Sequence, residues 1–340
     1  MTADATSDAV AVTGGGGFIG SALLRLLDRQ GIATSTLLGP PGAAVAPPPA
    51  SVRSHTGDLA DGSAVGDAIA GASVVVHLAG PPSVATSFRD PVGYLRAHVE
   101  GTANVVEAAR RAGVRRLVLV SSAEVYGRPR SCPVAEDAPT APRSPYGAAK
   151  VGAEAVAGAA ARSGTLEQVV VIRPFSVYGP GMAAWSLIGS LAQQAREGGP
   201  LEVRDPRPVR DYVHVDDVVV ALAATAHVPL DGDLSSFNLC SGVGRSAGEL
   251  RDDLARELGL AVSDGLLDGD RPAGADITEL VGDPAAATTG LGWWATVPIG
   301  AGLMSVVTGA ATDQAAGQAA GQAAGQATVA TKGGDPCGYS

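Results

Sequence analysis

The segment "AVAVTGGGGFIGSALLRLLDRQG", residues 9–31, restricts the possible folds more than any other. An apolar strand-like run meets glycines at 14, 17 and 20, and an amphipathic helical pattern follows over 18–30. This spacing suits a tight turn, a close approach of the backbone to a pyrophosphate, and close packing of helix on strand. A phosphate held there sits at the positive end of the helix dipole. The pattern therefore predicts a dinucleotide site. An acidic residue about 20 positions on usually grips the adenosine ribose. Here the second strand ends "TSTLLGPPG", with Leu38 and Gly39 in that place and no arginine nearby for a 2′-phosphate. This position does not separate NAD from NADP.

The alternation begun at residue 9 continues. Strands are expected at 9–13, 33–38, 73–78, 115–121 and 168–173, with helices at 18–30, 92–112 and 145–162. Strand–helix alternation predicts an α/β fold with a doubly wound parallel sheet. After "VVVIRPF" the pattern loosens into short strands and helices at 182–197, 215–227 and 246–258. The expected organisation is a flexible N-terminus (1–8), a dinucleotide-binding domain (9–174), and a smaller α/β substrate lobe (175–310) with segments returning to the first domain. "PPGAAVAPPPA" reads as a loop, because its prolines forbid helix or inner strand. The repeated AAGQ of 313–326 has little beyond alanine to bury, so 311–340 is expected to be a disordered low-complexity tail.

Composition excludes several classes. The net charge of −10 carries no basic stripe for nucleic acid. No apolar run is long enough for a transmembrane helix, and "MTADATSDAVAV" lacks the pattern of a secretion signal, so a cytoplasmic protein is expected. Cys132, Cys240 and Cys337 are far apart and odd in number, and the five histidines show no HxxxH spacing, so neither a disulfide framework nor a metal site is expected. The chain has two lysines, Lys150 and Lys332.

Lys150 belongs to "SPYGAAK", four residues after Tyr146, so the two share one face of a helix. A tyrosine of pKa near 10 is a poor base, and bringing it to 7 takes roughly 4 kcal/mol. One positive charge at about 4 Å supplies roughly that at an effective dielectric of 20. A lysine beside an oxidised nicotinamide thus makes Tyr146 a workable acceptor for a hydroxyl proton. Ser122, in "SSAEVYG" at the end of the strand "RRLVLV", is placed to hold the same hydroxyl at the carboxyl edge of the sheet, where ligands bind.

"TGGGGFIG", "GDL", "VVVHLAG", "HVEGTANVVEAA", "SSAEVYG", "SPYGAAK", "RPFSVYGPG", "RDYVHVDDV" and "FNLCSG" occur in order between residues 9 and 307. Together they resemble the extended short-chain dehydrogenase/reductase family, and within it the nucleotide-sugar epimerases and dehydratases. The resemblance implies a Rossmann-type domain, bound NAD, a nucleoside-diphosphate sugar substrate, and a homodimer paired through helices 92–112 and 145–162. It places the cofactor along Gly14, Gly17, Phe18, Ile19, Gly20, Asp58, Leu59, Leu78, Ala79 and Gly80, together with Tyr146 and Lys150. Ser122, Tyr146 and Lys150 match the family's catalytic triad. Arg210 and Arg271 match positions that grip the nucleotide phosphates, for which a bidentate guanidinium is suited. His98 and Ser176 stand where asparagine is usual.

In the resembled enzymes Tyr146 would take the proton of the 4-hydroxyl, with NAD as hydride acceptor. Many 4,6-dehydratases carry Asp-Glu where this chain has Ala123-Glu124, so the position of the acid is empty. Glu124 is left with three readings: a C5 base, the glutamate of a uronate decarboxylase, or a hydrogen-bonding residue. A 4-epimerase needs no further acid or base and is the most economical reading. Ser176 resembles the hydroxyl residue that UDP-glucuronate 4-epimerases carry at that position, where it can donate to the sugar carboxylate, and this resemblance favours UDP-glucuronate slightly over UDP-glucose. The expected substrate-binding set is Ser122, Ala123, Glu124, Tyr146, Ser176, Arg210 and Arg271. A protein that binds NAD without chemistry is the remaining alternative, although such proteins typically lose the tyrosine or lysine kept here.

Overall fold

The computed structural model describes residues 9–40, 46–264 and 276–310. The expected flexible N-terminus, the low-complexity tail and Arg271 lie outside the described residues. In chain order the first half runs β1 (Val10–Thr13), α1 (Phe18–Arg29), β2 (Thr34–Gly39), β3 (Arg53–Thr56), α2 (Gly62–Ile69), β4 (Val74–His77), α3 (Val84–Ser87), α4 (Pro91–Leu95), α5 (Gly101–Ala112), β5 (Arg116–Val120), α6 (Pro145–Arg162) and β6 (Gln168–Pro174). The second half runs β7 (Ser176–Tyr178), α7 (Leu187–Glu197), β8 (Leu201–Val203), β9 (Val209–His214), α8 (Val215–His227), β10 (Leu234–Leu239), β11 (Gly244–Ser246), α9 (Ala247–Leu258), β12 (Val262–Asp264), β13 (Glu279–Leu280), α10 (Ala285–Leu291) and α11 (Ile299–Thr308).

Seven parallel strands form one sheet in the order β10-β6-β5-β4-β1-β2-β3. The inner strands are apolar on both faces, as a sheet covered by helices on both sides requires. Val10, Val12, Val74, Val76, Val118, Val120, Val170 and Ile172 pack toward α1 and α8. The residues between them, Ala11, Val75, Leu117, Leu119, Val169 and Val171, pack toward α2, α5 and α6. This is the Rossmann-type doubly wound sheet. Its edge strand β10 comes from the second half, with Leu234 opposite Val169 and Leu239 opposite Pro174.

The expected helix 145–162 forms with those bounds. Ser144 caps it by accepting a hydrogen bond from Gly147 N–H at 3.1 Å, and Pro145 occupies its first turn, where no backbone donor is needed. The expected helix 92–112 is instead interrupted. Between α4 and α5, residues Arg96–Glu100 form a π-turn. Such a widening displaces the helix register and occurs often at functional sites. Here it carries His98.

The second lobe is a smaller sheet centred on β9, with β11 antiparallel and β13 parallel at its sides, and β7 also parallel to β9. Its core joins Ile188 and Leu191 of α7 to Leu201, Leu250, Leu254 and Leu303. No described helix is long and apolar enough to cross a membrane.

Asp217, buried in α8, ties the C-terminal segment to the sheet. Its carboxylate accepts from Thr296 N–H (3.1 Å), Thr296 Oγ1 (2.6 Å) and Val297 N–H (3.0 Å), and its carbonyl accepts from Trp293 Nε1 (2.8 Å). Removing the carboxylate strands several inward-facing donors. Asp217→Ala is expected to cost about 3 kcal/mol, the scale of a lost charged hydrogen-bond acceptor. Urea denaturation measures it; an unchanged midpoint would contradict this role.

Candidate active site

A cavity of about 850 Å³ opens at the carboxyl ends of β1, β4, β5 and β6 and runs into the second lobe. At one end lie Gly14, Gly17, Phe18, Ile19 and Gly20; in the middle Ser122, Glu124, Tyr146 and Lys150; beyond them Ser176 and Arg210. Leu78 and Gly80 also line it. The structure thus brings together most residues singled out from the sequence. Ala123 borders a side cavity of about 50 Å³, shared with Ser122, Glu124, Phe175, Ser176 and Arg210. Asp58, Leu59 and Ala79 do not line the main cavity. Exposed Asp58 accepts from Ala60 N–H at 2.9 Å, and Leu59 is buried against Gly101.

The glycine turn is built for contact. Gly14 has φ +78°, and a Cβ there would lie 2.8 Å from the Ala79 backbone. A Cβ on Gly20 would lie 2.1 Å from the Gly14 carbonyl oxygen. Both positions exclude side chains, so the helix starts tight against the strand with its free N–H groups toward the cavity. Ser121 Oγ, buried on the cavity wall, has no hydrogen-bond partner among the described residues. A buried hydroxyl left without a partner there is available to a polar ligand. These features fit a dinucleotide lying from the glycine turn to Ser121.

Lys150 is buried, and its Nζ donates to Val120 O at 2.8 Å. That bond fastens α6 to the end of β5. The ammonium lies 5.9 Å from the Tyr146 ring centre. Burial pulls Lys150 down to about 8, while Glu154 on the same helix raises it. Tyr146 keeps part of its ring on the cavity but lies deep in the protein, and desolvation pushes its phenol up to about 12. Hydrogen bonding to Ser122 pulls it down, and the charge of Glu124 pushes it up. Ser122 Oγ accepts from Glu124 N–H at 3.2 Å, which leaves its proton to donate. Without ligands Tyr146 therefore holds its proton. Serving as a base near neutral pH would take positive charge beside the phenol to bring it down from about 12.

His98 and Tyr94 were not singled out as site residues. The His98 ring stands edge-on to Tyr146 at 5.6 Å, and that of Tyr94 at 6.2 Å. Burial, aided by the charge of Lys150, pulls His98 down to about 3, so it is neutral. Its Nε2 donates to Pro81 O at 3.1 Å. His77 is neutral for the same reasons. Thr102 Oγ1 donates to His98 O (2.5 Å) and so accepts from His77 Nε2 (3.2 Å); His77 Nδ1 then accepts from Thr13 Oγ1 (2.6 Å). This chain connects β1, next to the glycine turn, to the π-turn. Sequence spacing hides it, because its members lie on β1, β4 and α5.

Residues 10–240 match the model of the NAD dependent epimerase/dehydratase family. The chain belongs to that family. It is similar to a UDP-glucose 4-epimerase of Azospirillum brasilense, at 32% identity over 72% of this chain and 76% of that one. It is similar in structure to MoeE5, solved with UDP-glucose and NAD (TM-score 0.80, 34% identity, 88% and 98% covered) and also with UDP-glucuronic acid and NAD. It is likewise similar to TunA, an NAD-dependent NDP-hexosamine 5,6-dehydratase (TM-score 0.79, 30% identity, 89% and 97% covered). The cofactor of the chain is accordingly NAD, and the chain is an enzyme.

The position of Lys150 has a direct readout. Protein labelled with ¹³C-lysine carries only two lysines. In the ligand-free state one Cε signal should titrate near 8, with the charged fraction falling above that pH. No signal moving below the ordinary lysine range near 10.4 would contradict the burial argument.

Proposed function

We propose that the protein epimerises C4 of a UDP-hexose through a 4-keto intermediate. The observation that carries this reading is the constellation of Ser122, Tyr146 and Lys150 at one point of the cavity wall, with Ala123 where a second acid would stand. Bound NAD would supply reversible oxidation at C4. Ser122 would hold the 4-hydroxyl, Tyr146 would take its proton, and Lys150 would keep the phenolate in place by charge. The neutral edges of His98 and Tyr94 would keep water away from Tyr146. Reprotonation by Tyr146 after the sugar turns over would complete the cycle without another acid.

For the sugar, the side cavity offers a place for the C6 group. Ser176 and Arg210 border it and favour a carboxylate there, so UDP-glucuronate is the preferred substrate in this reading, with UDP-glucose second. Arg210 also lines the main cavity, where it suits the pyrophosphate. Arg271 is assigned to the same phosphates from the sequence. Two copies are proposed to pair through α4, α5 and α6; the exposed Val92 and Leu95 of α4 favour this. A second reading, dehydration or decarboxylation with Glu124 at C5, is favoured by Glu124 lying on both cavities and by the likeness to a 5,6-dehydratase.

Two results separate these readings. In D₂O the epimer should form without deuterium at C5, and Glu124→Gln should retain measurable turnover. Deuterium at C5, or an unsaturated or five-carbon product, would instead support the second reading. Tyr146→Phe should lower kcat by about 10²–10⁴-fold or more while NAD stays bound. Near-normal turnover of that variant would overturn the proton-transfer scheme.

A further inference from the structure

Among the described residues, six large apolar side chains are strongly exposed, and one of them, Trp185, lines the cavity. Its indole is 67% exposed. The other two tryptophans differ. Trp293 is fully buried and donates to Asp217 O, and Trp294 lies away from the cavity.

The exposure of Trp185 does not come from a loose backbone. Ser186 N–H donates to Ala183 O at 3.0 Å, and Ser186 Oγ donates to the same oxygen at 2.6 Å. Ser186 Oγ in turn accepts from Gly189 N–H at 3.2 Å and caps α7. A Cβ on Gly189 would lie 2.2 Å from Ala183 O, so the turn packs closely on the helix it starts. Behind it, Leu187 and Met182 pack on the lobe core. A closed turn therefore holds a wide apolar face out over the cavity, where the protein gives it nothing to pack against.

The order of the cavity wall says what belongs there. The reacting hexose must reach Ser122 and Tyr146 in the middle. Its diphosphate then extends into the second lobe past Arg210. The part of the substrate left for the mouth is the nucleoside. Arg204, whose exposed side chain makes no hydrogen bond or ion pair among the described residues, lines the same cavity and follows β8, which packs on the helix that Trp185 precedes. A guanidinium plane and an indole are the two side-chain surfaces on which a base stacks.

We propose that Trp185 is a nucleoside-binding residue, whose indole stacks on the pyrimidine base of the substrate and closes the mouth of the cavity. This inference rests on the UDP-sugar reading above. It assigns recognition of the base to a planar face presented by the Ala183–Ser186 turn.

The test uses the full chain with its NAD. Titration with UMP or UDP should quench tryptophan emission in wild type but not in Trp185→Phe, which keeps the exposed Trp294, and glucose 1-phosphate should leave both unchanged. By calorimetry, Trp185→Ala should weaken UDP binding roughly five- to 150-fold, the range of one stacked base. Trp185→Phe should recover most of that loss, and the content of bound NAD should be the same in all three proteins. Unchanged UDP affinity in Trp185→Ala, or quenching by glucose 1-phosphate that depends on Trp185, would overturn this assignment alone. Wild-type protein that binds no UDP would overturn it together with the UDP-sugar reading.

Discussion

The hydrogen bond from Lys150 Nζ to Val120 O is the interaction on which the site depends. A buried ammonium is costly unless its protons find acceptors. The end of β5 provides one, just before the chain turns into Ser121 and Ser122. Through that bond the face of α6 that carries Tyr146 is set against the Ser122 turn. The lysine is thus both a clamp between helix and sheet and a source of charge next to the phenol. Losing the clamp would move the tyrosine as well as remove the charge, so the two effects are not separable by deleting the side chain.

A second support comes from the chain of Thr13, His77, Thr102 and His98. Each proton in it has one direction, fixed at one end by the His98 carbonyl, which can only accept. It joins the strand before the glycine turn to the π-turn facing Tyr146. The glycine-turn end and the Tyr146 end of the cavity are therefore parts of one hydrogen-bonded frame. Burial, with the charge of Lys150, keeps both histidines neutral, so no buried charge has to be compensated.

Much of this was legible in the sequence where local pattern and chemistry coincide. Helix 145–162 appears with its expected bounds because Ser144-Pro145 is a strong start signal. The inner strands are continuous apolar runs. By contrast β3, "RSHT", is a polar edge strand whose sequence carries no apolar alternation, and α2 after it is short; neither was expected. The edge strand β10, "LSSFNL", is only half apolar and lies far along the chain from its partner β6. The π-turn escaped because one inserted residue barely alters helical periodicity. Of the site, the glycine turn, Ser122, Tyr146 and Lys150 were readable from spacing. His98 as a neighbour of Tyr146, the side cavity beside Ala123, and Trp185 on the cavity wall depend on how distant segments meet, which spacing does not encode.

The account stands on reversible oxidation at C4 with a single proton-handling tyrosine. The most direct measurement is turnover of a UDP-hexose carrying deuterium at C4, in ordinary water and without added cofactor. The account predicts a 4-epimer that still carries the deuterium at C4. A product whose label has washed out to solvent, or has moved to C6 with loss of water, would contradict it.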